Sequence, residues 1–171
     1  LYLLAKHPDV ANALAAEIQE VLGDRSAQAS DVPRLRLAGW IIQESMRLYP
    51  PAWAIGREAI APVRLGGYDF PVGTQLWAAQ WVVHRDARWY PEPLAFKPER
   101  WADDFAKKLP RQAYFPFGGG ARICIGNAFA MMEAVLILVT LARSFRFRLE
   151  DDRPLRLAPS VRDRRKRAIP P

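Results

Sequence analysis

Hydrophobic and polar positions change period several times along this chain, and each change marks an element. Val10, Leu14, Ile18, Val21 and Leu22 recur at helical spacing behind Pro8, a residue suited to a first helical turn, and Gly23 closes the run. Glu17 and Glu20 read as the wet face of that helix. The six residues before it, LYLLAK, look like the last turns of another helix, ended by His7-Pro8. After a small polar loop at 26–31, a helix over about 33–49 carries the stripe Leu37, Ile41, Glu44, Leu48, until Pro50-Pro51 stops it. The pattern then becomes extended over 59–65, 68–70 and 74–83, with a Gly66-Gly67 turn and a Pro-Val-Gly turn between, which predicts a small antiparallel sheet. Residues 85–116 are dense in proline and aromatic side chains, too broken for regular structure yet apolar enough to hold a compact irregular segment. A run from Ala128 to Ala142, interrupted only by Glu133 and Thr140, predicts a helix ending near Ser144, apolar nearly all round and therefore buried. Phe145, Phe147 and Leu149 alternate with charged residues as a half-buried strand does, a turn follows at 151–154, and 155–157 could pair back. The fold class is mainly α with a small antiparallel β-sheet, α+β.

Length adds that 171 residues suffice for one domain with a core. The formal charge of +7 is concentrated: Arg162, Arg164, Arg165, Lys166 and Arg167 face only Asp163. This separates a domain at 1–161 from a basic tail at 162–171. A single cysteine excludes an internal disulfide and suits a reducing compartment. The start has no charged region followed by an apolar one and a cleavage site, and the late apolar helix is shorter than the roughly 20 residues a membrane span needs. A soluble, cytoplasmic chain without a membrane span is expected. Because the chain begins with Leu1 inside an apolar run, it is also expected to be a piece of something larger.

Two places carry candidate chemistry. Glu44 lies on an apolar helical stripe with Arg47 three residues on, and a charge aimed at a core is expensive unless paired and hydrogen-bonded. It needs Arg47 and a third partner. The other place is FGGGARICIG, residues 117–126, which contains the sole cysteine. A lone cysteine is more commonly a small buried hydrophobe. A core-filling one has no need of three glycines before it, Arg122 two residues earlier and Gly126 two residues later. Glycines here allow positive φ and close backbone approach, and the helix beginning after Gly126 places Cys124 near an N-terminus that favours a thiolate. His84, with only His7 besides it, has no metal-ligand spacing and reads as structural.

The arrangement Phe117-x-x-Gly120-x-Arg122-x-Cys124-x-Gly126 closely resembles the haem-ligand loop of the cytochrome P-450 (haem-thiolate monooxygenase) family. Glu44-x-x-Arg47, within ESMRLYPP, is similar to the family's second signature and lies upstream of the cysteine as the family requires. The irregular segment resembles the family's meander, and its Phe96-x-Pro98-Glu99-Arg100 matches a third element.

This resemblance implies the C-terminal portion of the cytochrome P-450 fold. It implies haem b (iron protoporphyrin IX), with Cys124 as axial ligand to the iron, Phe117 as a packing shield, and Gly120 and Gly126 as backbone room around sulfur and porphyrin. Arg122 and Arg57 would pair with the propionates, and Arg100 would complete a structural network with Glu44 and Arg47. Ala52, Trp53, Ala54 and Ile55 become candidates for the substrate pocket. The implied reaction inserts one oxygen atom from O2 into a small organic substrate, with electrons from a ferredoxin- or flavoprotein-type donor. The family's distal acid and alcohol sit on a long helix of which only the end, 1–6, is expected here. The chain is therefore expected to be a fragment that is inactive alone. A non-catalytic haem-binding sensor or a degenerate remnant shares the same loop. A nucleic-acid contact by the basic tail is the weaker alternative, because no aromatic residues are interleaved with its charges, and a solvated end or a shifted reading frame accounts for the tail as well.

Overall fold

The computed structural model describes residues 1–150. The element order is α1 Tyr2–Lys6, α2 Pro8–Leu22, α3 Arg36–Leu48, β1 Ile55–Glu58, β2 Val63–Leu65, β3 Tyr68–Phe70, β4 Gln75–Ala78, α4 Gln80–Val83, α5 Phe105–Lys108 and α6 Asn127–Ser144. Single 3-10 turns occur at Ala29–Asp31, Pro98–Trp101 and Gly120–Arg122. The class is α+β, as the periodicity predicts.

The core is a three-helix junction. Leu14, Ile18 and Leu22 of α2, Ala38, Ile41 and Leu48 of α3, and Val135, Leu138, Val139 and Ala142 of α6 are all buried in one cluster, with Phe96 of the irregular segment added to it. Helix α3 begins at Arg36 rather than near 33, because Arg34 and Leu35 both donate backbone hydrogen bonds to the Asp31 carbonyl in a preceding turn. Glu17 is not simply wet. Its carboxylate accepts the backbone N–H groups of Leu37 at 2.6 Å and Ala38 at 3.0 Å. These are among the free donors of the first turn of α3, so a side chain of α2 supplies the cap that α3 lacks locally.

The extended region forms two separate antiparallel ladders rather than one sheet. β1 pairs with β4, Ile55 opposite Ala78 and Arg57 opposite Leu76, while β2 pairs with β3 as a hairpin around Gly66-Gly67. The strand expected over 59–65 is cut back to 63–65, past Pro62, which has no N–H to give a ladder, and β1 at Ile55–Glu58 lies ahead of the expected range. The strand expected over 74–83 stops at Ala78, and the chain turns into the short α4.

Helix α6 departs from expectation in burial. It packs on α2 and α3, burying Val135, Leu138, Val139 and Ala142, while Phe129 and Ile137 are exposed on its other side. It runs 18 residues and, by length and composition, could cross a membrane. The same description fits a helix lying against a core, and its contacts with α2 and α3 are of that kind. The strand expected at 145–149 forms no ladder among the described residues, and Phe145 is exposed. Alternation records which side chains face apolar surroundings, but a strand also needs a neighbour for its backbone. The turn at 151–154, the pairing at 155–157 and the basic tail lie outside the described residues.

Candidate functional site

The helical stripe places Glu44 on the inner face of α3, and there the carboxylate is fully buried, as is Arg47. Arg47 donates to both carboxylate oxygens, Nε to Oε2 at 2.9 Å and Nη2 to Oε1 at 2.8 Å. Arg100 Nε reaches Oε1 at 3.0 Å, the backbone N–H of Lys97 reaches the same oxygen at 3.0 Å, and Trp101 Nε1 reaches Oε2 at 2.9 Å. Two guanidinium groups thus share one carboxylate. The surplus positive charge is met by backbone carbonyls: Arg47 donates to those of His84, Pro93 and Ala95, and Arg100 to those of Pro91 and Glu92. Every N–H of the Arg47 fork has a partner, and its carbon centre lies 4.9 Å from the Tyr90 ring centroid. Burial raises the Tyr90 and Tyr114 hydroxyls above the usual tyrosine range, so both stay protonated beside the cluster. Their hydroxyls donate to the carbonyls of Ala113 and Gln43.

Sequence reasoning proposed Arg100 as a partner of Glu44 and missed Trp101 and Lys97. Both belong to the same Phe96–Trp101 run, but a backbone donor and an indole N–H leave no periodic trace. It also missed what α4 does. Gln80 and His84, one helical turn apart, are fully buried. The Gln80 amide donates to the Phe115 carbonyl, and the backbone N–H of Phe115 donates to His84 Nε2 at 3.0 Å. Burial first, and the Arg47 charge second, lower the His84 pKa to about 4, so the ring is neutral and carries its proton on Nδ1. His84 spends Nε2 on the Phe115 N–H, and the described residues hold no group of three or more His, Cys, Asp or Glu side chains placed to share a metal ion.

Phe115 opens the glycine-rich loop. Its carbonyl also accepts Gly118 N–H at 2.9 Å, and Gly118 (φ +79°) and Gly120 (φ +69°) occupy the left-handed region that favours glycine, whereas Gly119 is extended. The loop folds back so that Cys124 N–H donates to the Phe117 carbonyl at 2.9 Å. Cys124 is exposed. A Cβ on Gly126 would lie 3.8 Å from Cys124 Sγ, which is ordinary contact, so the room at Gly126 is modest. Beside the loop opens a cleft of ≈ 690 Å3 lined by Ile55, Arg57, Phe115, Gly118, Gly119 and Gly120, among others. A second cleft, continuous in its lining through Arg57, brings Arg57 and Arg122 together with Gly56 and Glu58.

Ile55 and Arg57 share one face of β1 and both line the larger cleft. Gly56 faces the other way, under the ring of Trp77, whose nearest atom would stand 3.3 Å from a Cβ there. Trp53 stacks on that same Trp77, the rings parallel within 3° and 6.4 Å apart. Of the four pocket candidates, Ile55 therefore lines the cleft, and Ala52, Trp53 and Ala54 do not. Phe117 lines a smaller groove with Gln43, Met46 and Met131, between the loop, α3 and α6.

The family model for cytochrome P-450 matches residues 1–164. The chain belongs to the cytochrome P-450 family. Its relatives include cyclooctatin synthase of Streptomyces melanosporofaciens, 42% identical over 147 residues, which is 86% of this chain and 32% of that protein. Another is pentalenene oxygenase of Streptomyces avermitilis, 38% identical over 169 residues, 97% of this chain and 38% of the relative. A cyclooctat-9-en-7-ol 5-monooxygenase of Streptomyces melanosporofaciens is 41% identical over 147 residues. This P-450 chain spans about a third of the length of the curated relatives it matches.

Proposed function

We propose that this chain is the cysteine-bearing part of a haem-thiolate monooxygenase that inserts one atom of O2 into a small organic substrate. The observation that carries the reading is the solvent-facing thiol of Cys124 on a loop whose glycines take positive φ, next to a cleft with two arginines at its edge. These residues fit iron protoporphyrin IX. Cys124 would hold the iron as a thiolate, Arg57 and Arg122 would meet the propionates, and the Gly118–Gly120 backbone, free of side chains, would permit close approach of a flat macrocycle. Arg57 supports this by what it lacks: its one hydrogen bond is to the neighbouring Gly56 carbonyl, and it forms no ion pair among the described residues. When bound, haem supplies the dioxygen chemistry, and a thiolate ligand donates electron density that favours O–O cleavage.

The chain's own residues do quieter work. The loop holds the sulfur in place through Cys124 N–H, Ile55 and Phe115 give the cleft apolar wall, and Glu44, Arg47 and Arg100 fasten the irregular segment to α3. A ferredoxin- or flavoprotein-type donor supplies electrons, and the free thiol suits a reducing cytoplasm. Since the chain spans about a third of its relatives' length, we propose that it does not turn over substrate alone. Stoichiometric haem uptake with substrate oxidation by these residues alone would refute that.

The deciding experiment is the absorption spectrum of the reduced, CO-bound protein, wild type against Cys124→Ser. A thiolate-type red shift confined to wild type is expected. Iron held through nitrogen or oxygen, or no porphyrin bound, removes the reading, and a thiolate band without any substrate oxidation in the longer protein favours a sensor.

A further inference from the structure

The glycine loop needs something to hold its entrance, because three consecutive glycines supply no side-chain packing and maximal backbone freedom. Among the described residues, α4 supplies it. Gln80 and His84 take the carbonyl and the N–H of a single residue, Phe115, from consecutive turns of the chain. We propose that Gln80 and His84 are positioning residues that set the height of the cysteine loop and connect it to the buried Glu44–Arg47 pair.

The connection can be followed bond by bond. Arg47 Nη1 donates to the His84 carbonyl at 2.8 Å, fixing the backbone from which the imidazole projects. The imidazole Nε2 accepts Phe115 N–H, the Phe115 carbonyl accepts Gly118 N–H, and two residues after Phe115 the Phe117 carbonyl accepts Cys124 N–H. The His84 ring is further wedged between Tyr114 and Phe115, each with its ring centroid 5.2 Å away. On the other side, Trp81 N–H donates to the Trp53 carbonyl at 3.0 Å, tying α4 to the segment that leads into β1. Gln80 Oε1 has no hydrogen-bond partner among the described residues, while His84 Nδ1–H faces the Met46 carbonyl of α3. A buried polar side chain with an unpaired atom is costly in a core, so the bond that Gln80 does make, to the Phe115 carbonyl, is what offsets its place there. A purely packing role would be filled better by Met and Phe.

In use, the inference rests on the haem-thiolate reading, but the clamp is testable without it. The first measurement is amide hydrogen exchange in wild type, His84→Phe and His84→Gln, the last keeping an acceptor where Nε2 stands. In His84→Phe the Cys124 amide is expected to exchange about ten-fold faster, with Leu14 and Ile18 of α2 unchanged, and His84→Gln is expected to restore most of the protection. The second measurement is the share of thiolate-type against thiol-type band in the reduced, CO-bound haem protein, expected to fall in His84→Phe and recover in His84→Gln. Unchanged Cys124 exchange in His84→Phe overturns the proposal, and so does a loss of protection spread equally over α2, which is global destabilisation. If His84→Phe does not fold, Gln80→Met, which removes only the donor to the Phe115 carbonyl, is read by the same criteria. A wild type with no thiolate band defeats the functional reading and leaves the exchange result to decide the clamp.

Discussion

Glu44→Gln is the substitution with the most to lose. It keeps shape and removes charge at a side chain with no exposed surface, on which five hydrogen bonds converge from Arg47, Lys97, Arg100 and Trp101. The new amide presents an NH2 where one oxygen accepted, so at least one of those donors meets a donor. Arg47 keeps its charge at a site with no exposed surface. Breaking a buried pair by removing one partner costs about 3–5 kcal/mol. Summing the bonds singly at about 1.5–3 kcal/mol each would assign one side chain as much as the whole stability of an ordinary domain, so the lower figure governs. The expectation is a loss of about 3–5 kcal/mol in the unfolding free energy of the folded protein, read from urea midpoints with the slope m compared between variants. The double substitution Glu44→Gln with Arg47→Met should lose less than the sum of the singles, because the stranded cation is gone. A cost for Glu44→Gln below about 1 kcal/mol, the range of a solvated pair, would refute the reasoning.

Three further outcomes follow from individual contacts. Trp101→Phe keeps an aromatic side chain but removes the five-membered ring with its Nε1–H, so the bond to Glu44 and some buried packing go together, at an expected cost of at least about 1–3 kcal/mol in the same urea assay. Gly56→Val places a branched side chain against the Trp77 ring, already at 3.3 Å from a Cβ, so thermal stability is expected to fall, and the added substitution Trp77→Ala to recover part of it. The third concerns pH. His84 has a folded pKa of about 4 against an ordinary value of 6.5, so the unfolded chain binds more protons between those values and stability rises with pH. The contribution is complete above about pH 6.5 and is lost as pH falls toward 4, at most about 3 kcal/mol, and His84→Gln should flatten that part of the stability–pH curve.

What could be read from the sequence was what repeats or what chemistry forces. The stripe on α3 put Glu44 inside and so demanded a compensating set of donors, and the glycines of 118–120 demanded unusual backbone. Periodicity is local, and it loses hold wherever the deciding contact is not. Nothing near Gln80 in sequence says that the strand ends at Ala78, since the reason lies 35 residues away at the Phe115 carbonyl. Glu17 looked wet because its helix alone offers it no partner; the free N–H groups of α3 do. The apolar wrap of α6 was visible, but which of its sides the other helices cover is a matter of their number and placement. Alternation holds over 146–149, with Phe147 and Leu149 half-buried and Arg146 and Arg148 exposed, but not at the exposed Phe145, and no described strand lies beside it.

The carbonyls that Arg47 satisfies belong to Pro93 and Ala95, 46 and 48 positions further along the chain. Bringing such distant points together costs roughly 3–4 kcal/mol of loop-closure entropy before any bond is made. That assigns the network a place in time as well as in space. Its loop is longer than the one that joins α2 to α3 and shorter than the one that joins α3 to α6, so it is expected to close between those contacts, and the unfolding and refolding rates of Arg47→Met would show how far it has formed in the transition state. Whatever share of that bonding forms only after the transition state sets how long the folded chain lasts.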